Sequence, residues 1–368
     1  MDFQLSDEQA LLRDTTRDVL SQTYDPESRL QIVATDLGWS REVWNQLAEI
    51  GILGLGFDED AGGQIEIQVV LTEIGRRLAP EPVVHAALGP GALIADLGNP
   101  EQRTLLDEVA AGERLLAFAH SEPGMRLPTA TVTTSAAHKN NSWFVSGQKN
   151  PVLAGDCADT LVVSAVLPDG GTGLFLVDAT AARRQPYRTF DGQRGAQIDF
   201  DEVAAEPLGE AVDSSAAIGH ALVRISSALC AEALGAMEES LRLTTEYLTA
   251  RKQFGVTLSK FQTLTQRAAD MYVSLELARS MTLYAAMSIA DGDLDPMIAA
   301  RAKLQVGRSG RHISQEAIQL HGGIGVTAEY PVGHYAARLT AIEHTLGSSQ
   351  DQLHLLVEQL GDYEVVTV

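Results

Sequence analysis

Three stretches carry residue types suited to chemistry on a nucleotide: Arg251-Lys-Gln-Phe-Gly255, Lys260-Phe-Gln262 and Gln319-Leu-His-Gly-Gly323. Arg251 brings a permanent cation on a planar fork, the form best matched to a diphosphate. Phe254 and Phe261 offer flat apolar faces, and Gln262 and Gln319 offer amide donors and acceptors. Gly322 and Gly323 carry no side chain, so backbone N–H groups can approach an anion closely. Taken singly, each has a plainer reading: a solvated Arg after a helix, a core Phe, a Gly pair at a helix end. Their order and combination carry the weight.

Long helical patterns must position these stretches. From 213 to 368 the chain has few breakers, and Leu234, Met237 and Leu241 begin an apolar stripe between Ala231 and Tyr247. The pattern continues over Phe261 to Ala290 and Met297 to Leu320, with enough Ala for close packing in a four-helix bundle that also forms an oligomer interface. Residues 116–212 change period. Thr131-Val-Thr-Thr, Trp143-Phe-Val, Leu161-Val-Val-Ser and Gly173-Leu-Phe-Leu-Val are short β-type runs separated by turn residues, as in an antiparallel β domain. Residues 1–115 are helical again. Ser6 with Gln9 has the form of a capping box, and a second helix is predicted over Ser40 to Ile50, with Val43, Trp44, Leu47 and Ile50 on one face. Gly51-Ile-Leu-Gly-Leu-Gly56 ends it, and an acidic loop, 58–63, leads to a helix over about 66–78. The fold class is thus α, β, α in three domains, 1–115, 116–212 and 213–368.

With 368 residues, 45% of them hydrophobic, the chain is long enough for several substantial cores. Its net charge of −22 argues against nucleic acid or an anionic membrane as the principal partner. Two cysteines, Cys157 and Cys230, give no disulfide framework and suit a reducing compartment. Nine scattered His residues, with no CxxC or HExxH, give no metal-ligand spacing. No secretory signal or spanning helix is expected, so a cytoplasmic location is the default.

R-K-x-F-G, then F-Q, then Q-x-H-G-G-x-G followed by E-Y-P resembles the C-terminal helical domain of acyl-CoA dehydrogenases. A helix, GILGLGFDEDAGG and a helix with E-I-G-R resemble the N-terminal domain of the same family, and the resemblance covers essentially the whole chain. It implies an FAD flavoprotein of lipid metabolism and β-oxidation, which removes two hydrogens from the α and β carbons of an acyl-CoA thioester. A carboxylate takes the α proton and the flavin takes the β hydride. It also implies an FAD site shared between subunits, with Arg251, Phe254, Phe261, Gln262, Gln319, Gly322 and Gly323 matching the share that reaches a neighbour's adenine-diphosphate end.

The flavin-ring share departs from the family pattern. Where members show T-E-P-G-x-G-S-D, this chain has Ser121-Glu-Pro-Gly124 followed by Met125-Arg-Leu-Pro128. Where they show W-I-T-N-G, it has Pro151-Val-Leu-Ala-Gly155, so Pro151 replaces the aromatic and Leu153 the flavin-bonding hydroxyl. The base is missing too. Leu346 of Leu346-Gly-Ser-Ser349 stands at the usual carboxylate position, and Ile225 and Ser226 stand at the alternative one.

Three readings are open. In the first, the chain is the non-catalytic subunit of a heteromeric, α2β2-type acyl-CoA dehydrogenase whose homologous partner supplies the base. In the second it is a self-sufficient homodimer or homotetramer with a displaced base, Glu343, on a helical face shared with position 346. In the third it is a structural or binding subunit without chemistry. His321, His120 and Glu122 are expected as packing or loop-fixing residues, and Arg183, Arg184 and Arg188 as a solvated cluster. Arg224 lies near, but out of register with, a family Arg that faces the active site. The acyl chain is open among sterol side-chain, straight, branched and aromatic types.

Overall fold

The computed structural model describes residues 5–58 and 62–360. Part of the acidic loop (59–61) and the end of the predicted third domain (361–368) lie outside the described residues. Helices α1 (Asp7–Thr23), α2 (Pro26–Val33), α3 (Arg41–Glu49), α4 (Gln64–Arg77), α5 (Gly89–Leu97), α6 (Pro100–Arg103) and α7 (Leu105–Ala110) precede the strands. These are β1 (Leu116–Ala119), β2 (Ser135–Lys139), β3 (Ser142–Leu153), β4 (Thr160–Val166), β5 (Thr172–Asp178), β6 (Arg183–Arg188) and β7 (Arg194–Pro207). Then come α8 (Ser215–Ala250), a hairpin of β8 (Lys252–Gln253) and β9 (Val256–Thr257), α9 (Gln262–Ala290), α10 (Pro296–His321), α11 (Val332–His344) and α12 (Ser349–Glu358). The chain divides into two compact units, Met1–Ile67 with Ala79–Ile225, and Gln68–Leu78 with Ser226–Val368.

In the first unit the caps fall where the residues dictate. Ser6 and Gln9 form the reciprocal capping box of α1, and Ser40 caps α3 through Val43 N–H. Trp44 is fully buried and donates its indole N–H to Gly112 O at 3.1 Å. The strands follow the order β1-β4-β2-β3-β7-β5, with β6 on β7, and the path closes because β5 pairs with both β7 and β4. Alternating residues such as Val145, Leu161, Val163, Phe175 and Ile198 fill the interior. The expected antiparallel arrangement holds except where β4 runs parallel to β1 and, at one residue pair, to β2.

One expected strand does not form. Thr131 to Thr134 is irregular because the N–H groups of Thr133 and Thr134 donate to the Glu122 carboxylate, at 2.7 and 2.9 Å. A local carboxylate outcompetes the ladder there, and β2 begins only at Ser135. The β-branched run was a true β propensity placed where side-chain chemistry claims the backbone.

In the second unit Ala302, Val306, Gly310, Ile313 and Ala317 line the buried stripe of α10. Small residues at this spacing let neighbouring helices approach closely. Arg338 and Glu232 form a buried bidentate ion pair at 2.6 and 2.7 Å. Helix α8 is long and apolar enough to cross a membrane by length and composition, but most of its apolar stretch is buried against protein, as in a core helix.

Candidate functional site

The Arg251 stretch is a two-residue β-hairpin. Gln253 pairs with Val256, and Phe254 and Gly255 form the turn with φ of +53° and +83°. Two successive left-handed residues match a type I′ turn, which favours Asn-Gly; a Phe in that first position is strained by roughly 1 kcal/mol. The strained ring is 91% exposed and meets Phe261 edge-on at 6.2 Å. Strain that displays an aromatic to solvent is the kind retained at ligand contacts. Arg251 N–H donates to Tyr247 O and Leu258 N–H to Arg251 O, both at 2.9 Å, so the hairpin hangs from the last turn of α8.

Arg251, Lys252 and Lys260 are exposed and make no ion pair among the described residues. In a chain of net charge −22, three uncompensated cations beside two aromatic rings give a local excess of positive charge. Gln262 and Gln319 are exposed, Phe261 half-buried, and Gly322 and Gly323 exposed with open space where a Cβ would stand. Gly322 ends α10 at φ +66°, a turn that glycine takes without strain. His321 is buried between Tyr247, at 4.5 Å, and Tyr330, at 4.9 Å, which brings the end of α8 to the end of α10. All seven predicted cofactor residues therefore lie in the second unit, near these two helix ends.

The loop containing position 346 is fully built although it holds no acid. Helix α11 stops at His344 rather than continuing to 346, so Glu343 and Leu346 do not share a helical face. Leu346 is left-handed, φ +61°, and Gly347 follows at +96°. Gln352 Nε2 donates to Leu346 O at 3.1 Å, and Ser348 caps α12 in a capping box with Asp351. Leu346 is half-buried.

Glu343 lies inside this scaffold. Its Oε1 accepts Ser349 N–H at 2.9 Å, Ser349 Oγ–H at 2.5 Å and Arg311 Nη2 at 3.2 Å. Its Oε2 is buried without a partner, and a Cβ on Gly307 would stand 1.9 Å from it. The carboxylate thus braces the first turn of α12, where a negative charge is favourable. Ile225 is buried with its Cδ1 against Gly89, and Ser226 is buried as well.

In the first unit a buried network holds the segment corresponding to the flavin side. Lys149, fully buried, donates to Glu122 Oε1 at 2.9 Å, His120 O at 3.0 Å and Ser164 Oγ at 3.1 Å. His120 Nε2–H donates to Pro128 O at 2.5 Å, which leaves Nδ1 to accept from Ser164 Oγ–H at 2.8 Å. Burial opposes ionisation of Glu122, yet hydrogen bonds from Thr133, Lys149 and Thr134 hold its pKa down to about 2. Burial lowers Lys149 to about 8 and pushes His120 below the usual histidine range. His120 and Glu122 are loop-fixing residues, as expected. Lys149 carries no motif signal by itself; only its burial reveals its part.

Residues 150–158 are braced similarly. Arg184 Nη1 donates to the carbonyls of Asp156 and Ala158 at 3.2 and 3.0 Å, and Arg194 pairs with Asp156 at 2.6 Å. The Asn150–Pro151 bond is cis, and Leu153 is half-buried. Arg183 and Arg188 are exposed, as expected of a solvated cluster; Arg183 also pairs with Asp199 at the surface and Arg188 donates to Ala34 O and Thr35 O, while Arg184 is half-buried on the 150–158 segment. Arg224 pairs with Asp96 at 2.6 Å. Among the described residues no group of three or more His, Cys, Asp or Glu could hold a metal ion.

Comparison with known proteins gives the same frame. The models for the acyl-CoA dehydrogenase N-terminal and C-terminal domains match residues 6–113 and 220–361. The acyl-CoA dehydrogenase IpdE2 of Mycobacterium tuberculosis is 29% identical over 97% of this chain and 98% of its own. A solved structure named Tcur3481-Tcur3483 steroid ACAD, a variant, superposes with a TM-score of 0.89 at 30% identity, covering 97% of this chain and 98% of that one. The ChsE4-ChsE5 complex from Mycobacterium tuberculosis shares the fold, with a TM-score of 0.89 at 24% identity over 99% of this chain and 100% of its own. Family models at both ends and relatives along the full length make this chain a member of the acyl-CoA dehydrogenase family, whose cofactor is FAD and whose substrates are acyl-CoA thioesters.

Proposed function

We propose that this chain is the half-site subunit of a heteromeric FAD-dependent acyl-CoA dehydrogenase. It contributes Arg251, Phe254, Phe261, Gln262, Gln319, Gly322 and Gly323 to the adenine-diphosphate end of FAD, and a homologous partner contributes the base. The observation that carries the reading is the pairing of an intact clamp with an emptied base position. Three free cations face solvent at the hairpin, while Leu346 sits in a loop still braced by Gln352, Ser348 and Asp351. A hydrocarbon cannot take the α proton of a thioester.

The donor set fits FAD unevenly. Permanent cations, exposed rings and side-chain-free glycines suit an adenine diphosphate. At the ring end Pro151 and Leu153 offer neither aromatic face nor hydroxyl. When bound, FAD supplies the acceptor for the β hydride. The role of this chain's own residues is then to hold the anionic end and fix its orientation. The three-domain division at 115/116 and 212/213, and an α2β2 assembly, belong to the same proposal. Because the 30%-identical relative is named a steroid enzyme, a steroid-derived acyl-CoA is the first substrate class to test.

A second reading keeps Glu343 as a displaced base, on the ground that its Oε2 is buried without a partner. The two readings separate on purification of the chain alone and co-expressed with a homologous acyl-CoA dehydrogenase, recording flavin absorbance per chain and bleaching by acyl-CoA. The expected outcome is a colourless chain that gains about one flavin per pair with its partner; a yellow chain that bleaches alone would sink the half-site reading. Arg251→Ala should lower flavin retention about tenfold or more, the usual scale for losing one charge-assisted bidentate contact. Unchanged flavin content would remove the clamp assignment.

A further inference from the structure

The two parts of the clamp stand on different helices. The hairpin hangs from α8 through Tyr247 O, and Gln319, Gly322 and Gly323 stand at the end of α10. No hydrogen bond among the described residues joins residues 251–257 to residues 319–323. Their spacing must be set by something else, since a diphosphate contacted from both sides requires placement to a fraction of an ångström.

His321 is in position to set it. Its ring lies 4.5 Å from that of Tyr247, tilted 33°, and 4.9 Å from that of Tyr330, tilted 49°. The two tyrosines also meet each other edge-on at 6.3 Å. Tyr247 carries the carbonyl that receives Arg251 N–H, and Tyr330 belongs to the segment after Gly322–Val326. Three rings thus join the end of α8, the end of α10 and the following loop.

A histidine has one property here that a hydrocarbon ring lacks. Nδ1–H donates to Ala317 O at 2.7 Å, which fixes the ring plane against its own helix. Burial keeps its pKa below the usual histidine range, so the ring is neutral and Nε2 holds a lone pair. That Nε2 is buried and makes no hydrogen bond, and the Leu243 backbone of α8 lies near the ring.

We infer that His321 is a positioning residue of the clamp: its anchored ring locks the Arg251 hairpin to the Gly322 turn and so sets the gap the cofactor's anionic end must fill. This rests on the clamp reading for the identity of the ligand, but not for the lock itself.

The test uses the full chain and, for flavin, the flavin-loaded protein with its partner where one is needed. His321→Ala removes both ring contacts and should speed amide exchange at residues 251–258 and flavin release, each about tenfold, the scale of two aromatic pairs. His321→Phe restores the rings without the anchor and should recover only part of each loss, and full recovery would show that the rings alone make the lock and the anchor does not contribute. If His321→Ala does not fold, His321→Leu, which fills the space without a ring, takes its place. Unchanged exchange at 251–258 in the folded ringless variant overturns the lock. Arg251→Ala separates the two claims: if it leaves flavin release unchanged while His321→Ala loosens the hairpin, the clamp reading fails and the lock stands. If Arg251→Ala speeds release and His321→Ala does not, the clamp stands and the positioning role fails.

Discussion

Two buried carboxylates show how a side chain's partners decide its role. Glu122 accepts from Lys149, Thr133 and Thr134, and Glu343 accepts from Ser349 and Arg311. Each holds the backbone of a loop through the donors it accepts from. Glu343→Gln keeps the shape but gives up the charge that meets the α12 terminus. Under the half-site reading it should destabilise the fold by about 2 kcal/mol in denaturant melts and leave turnover of the loaded complex within about twofold. Abolished turnover with an intact fold would transfer the base role to Glu343. From the sequence, Glu343 was visible only as the nearest acid to Leu346. Its bonds to Ser349 depend on the chain turning back after His344, which no local pattern announces.

Elements are spaced in the second unit by glycines where helices meet backbone to backbone. A Cβ on Gly235 of α8 would stand 1.8 Å from Thr72 O, and one on Gly75 of α4 would stand 1.9 Å from Glu232 O. Neither helix can move away without opening the neighbouring contacts, including the hydrogen bond from Tyr335 Oη to Arg76 O at 2.6 Å. Gly235→Ala should therefore cost about 3 kcal/mol, at the upper end for overpacking, despite alanine's better helix propensity. A melting temperature equal to the parent's would show that the crossing relaxes cheaply. Here the sequence gives a usable signal, because a glycine inside a strong helical pattern asks for a packing reason. The Thr131–Thr134 segment is the opposite case: the pattern pointed to a strand, and a carboxylate nine or more residues upstream took the amide groups instead.

At the scale of the whole molecule, acidity and burial combine in an unusual group, Glu81. Burial raises its carboxyl to about 7 against bonds from Tyr24 and Ser40 N–H that favour the charge, with Arg29 also nearby. A carboxyl whose folded pKa lies above its unfolded value of 4.5 contributes stability that is complete below 4.5 and lost as pH rises through 7. Glu122 has the opposite sign and loses its contribution only as pH falls from 4.5 toward 2. His120 and His321, both lowered, gain theirs as pH rises toward 6.5. The difference in stability between the parent and Glu81→Gln isolates the Glu81 part. It should fall by roughly 3 kcal/mol between pH 4.5 and 7.5 in denaturant titrations, and a flat difference would mean that Glu81 is ionised throughout.

The sequence by itself determined the order of helical and β segments and the family, and it singled out the seven residues proposed for the clamp, because periodicity, turn residues and short motifs are local properties of the chain. It also determined that no acid stands at 346, 225 or 226, since residue identity needs no coordinates. Only the tertiary structure decided that Glu343 braces α12, that Lys149 ties Glu122 to His120, and that His321 stacks between Tyr247 and Tyr330. Those outcomes depend on which distant groups share a buried space, where an unmatched charge or donor is expensive, and that matching is fixed only when the helices and strands have packed.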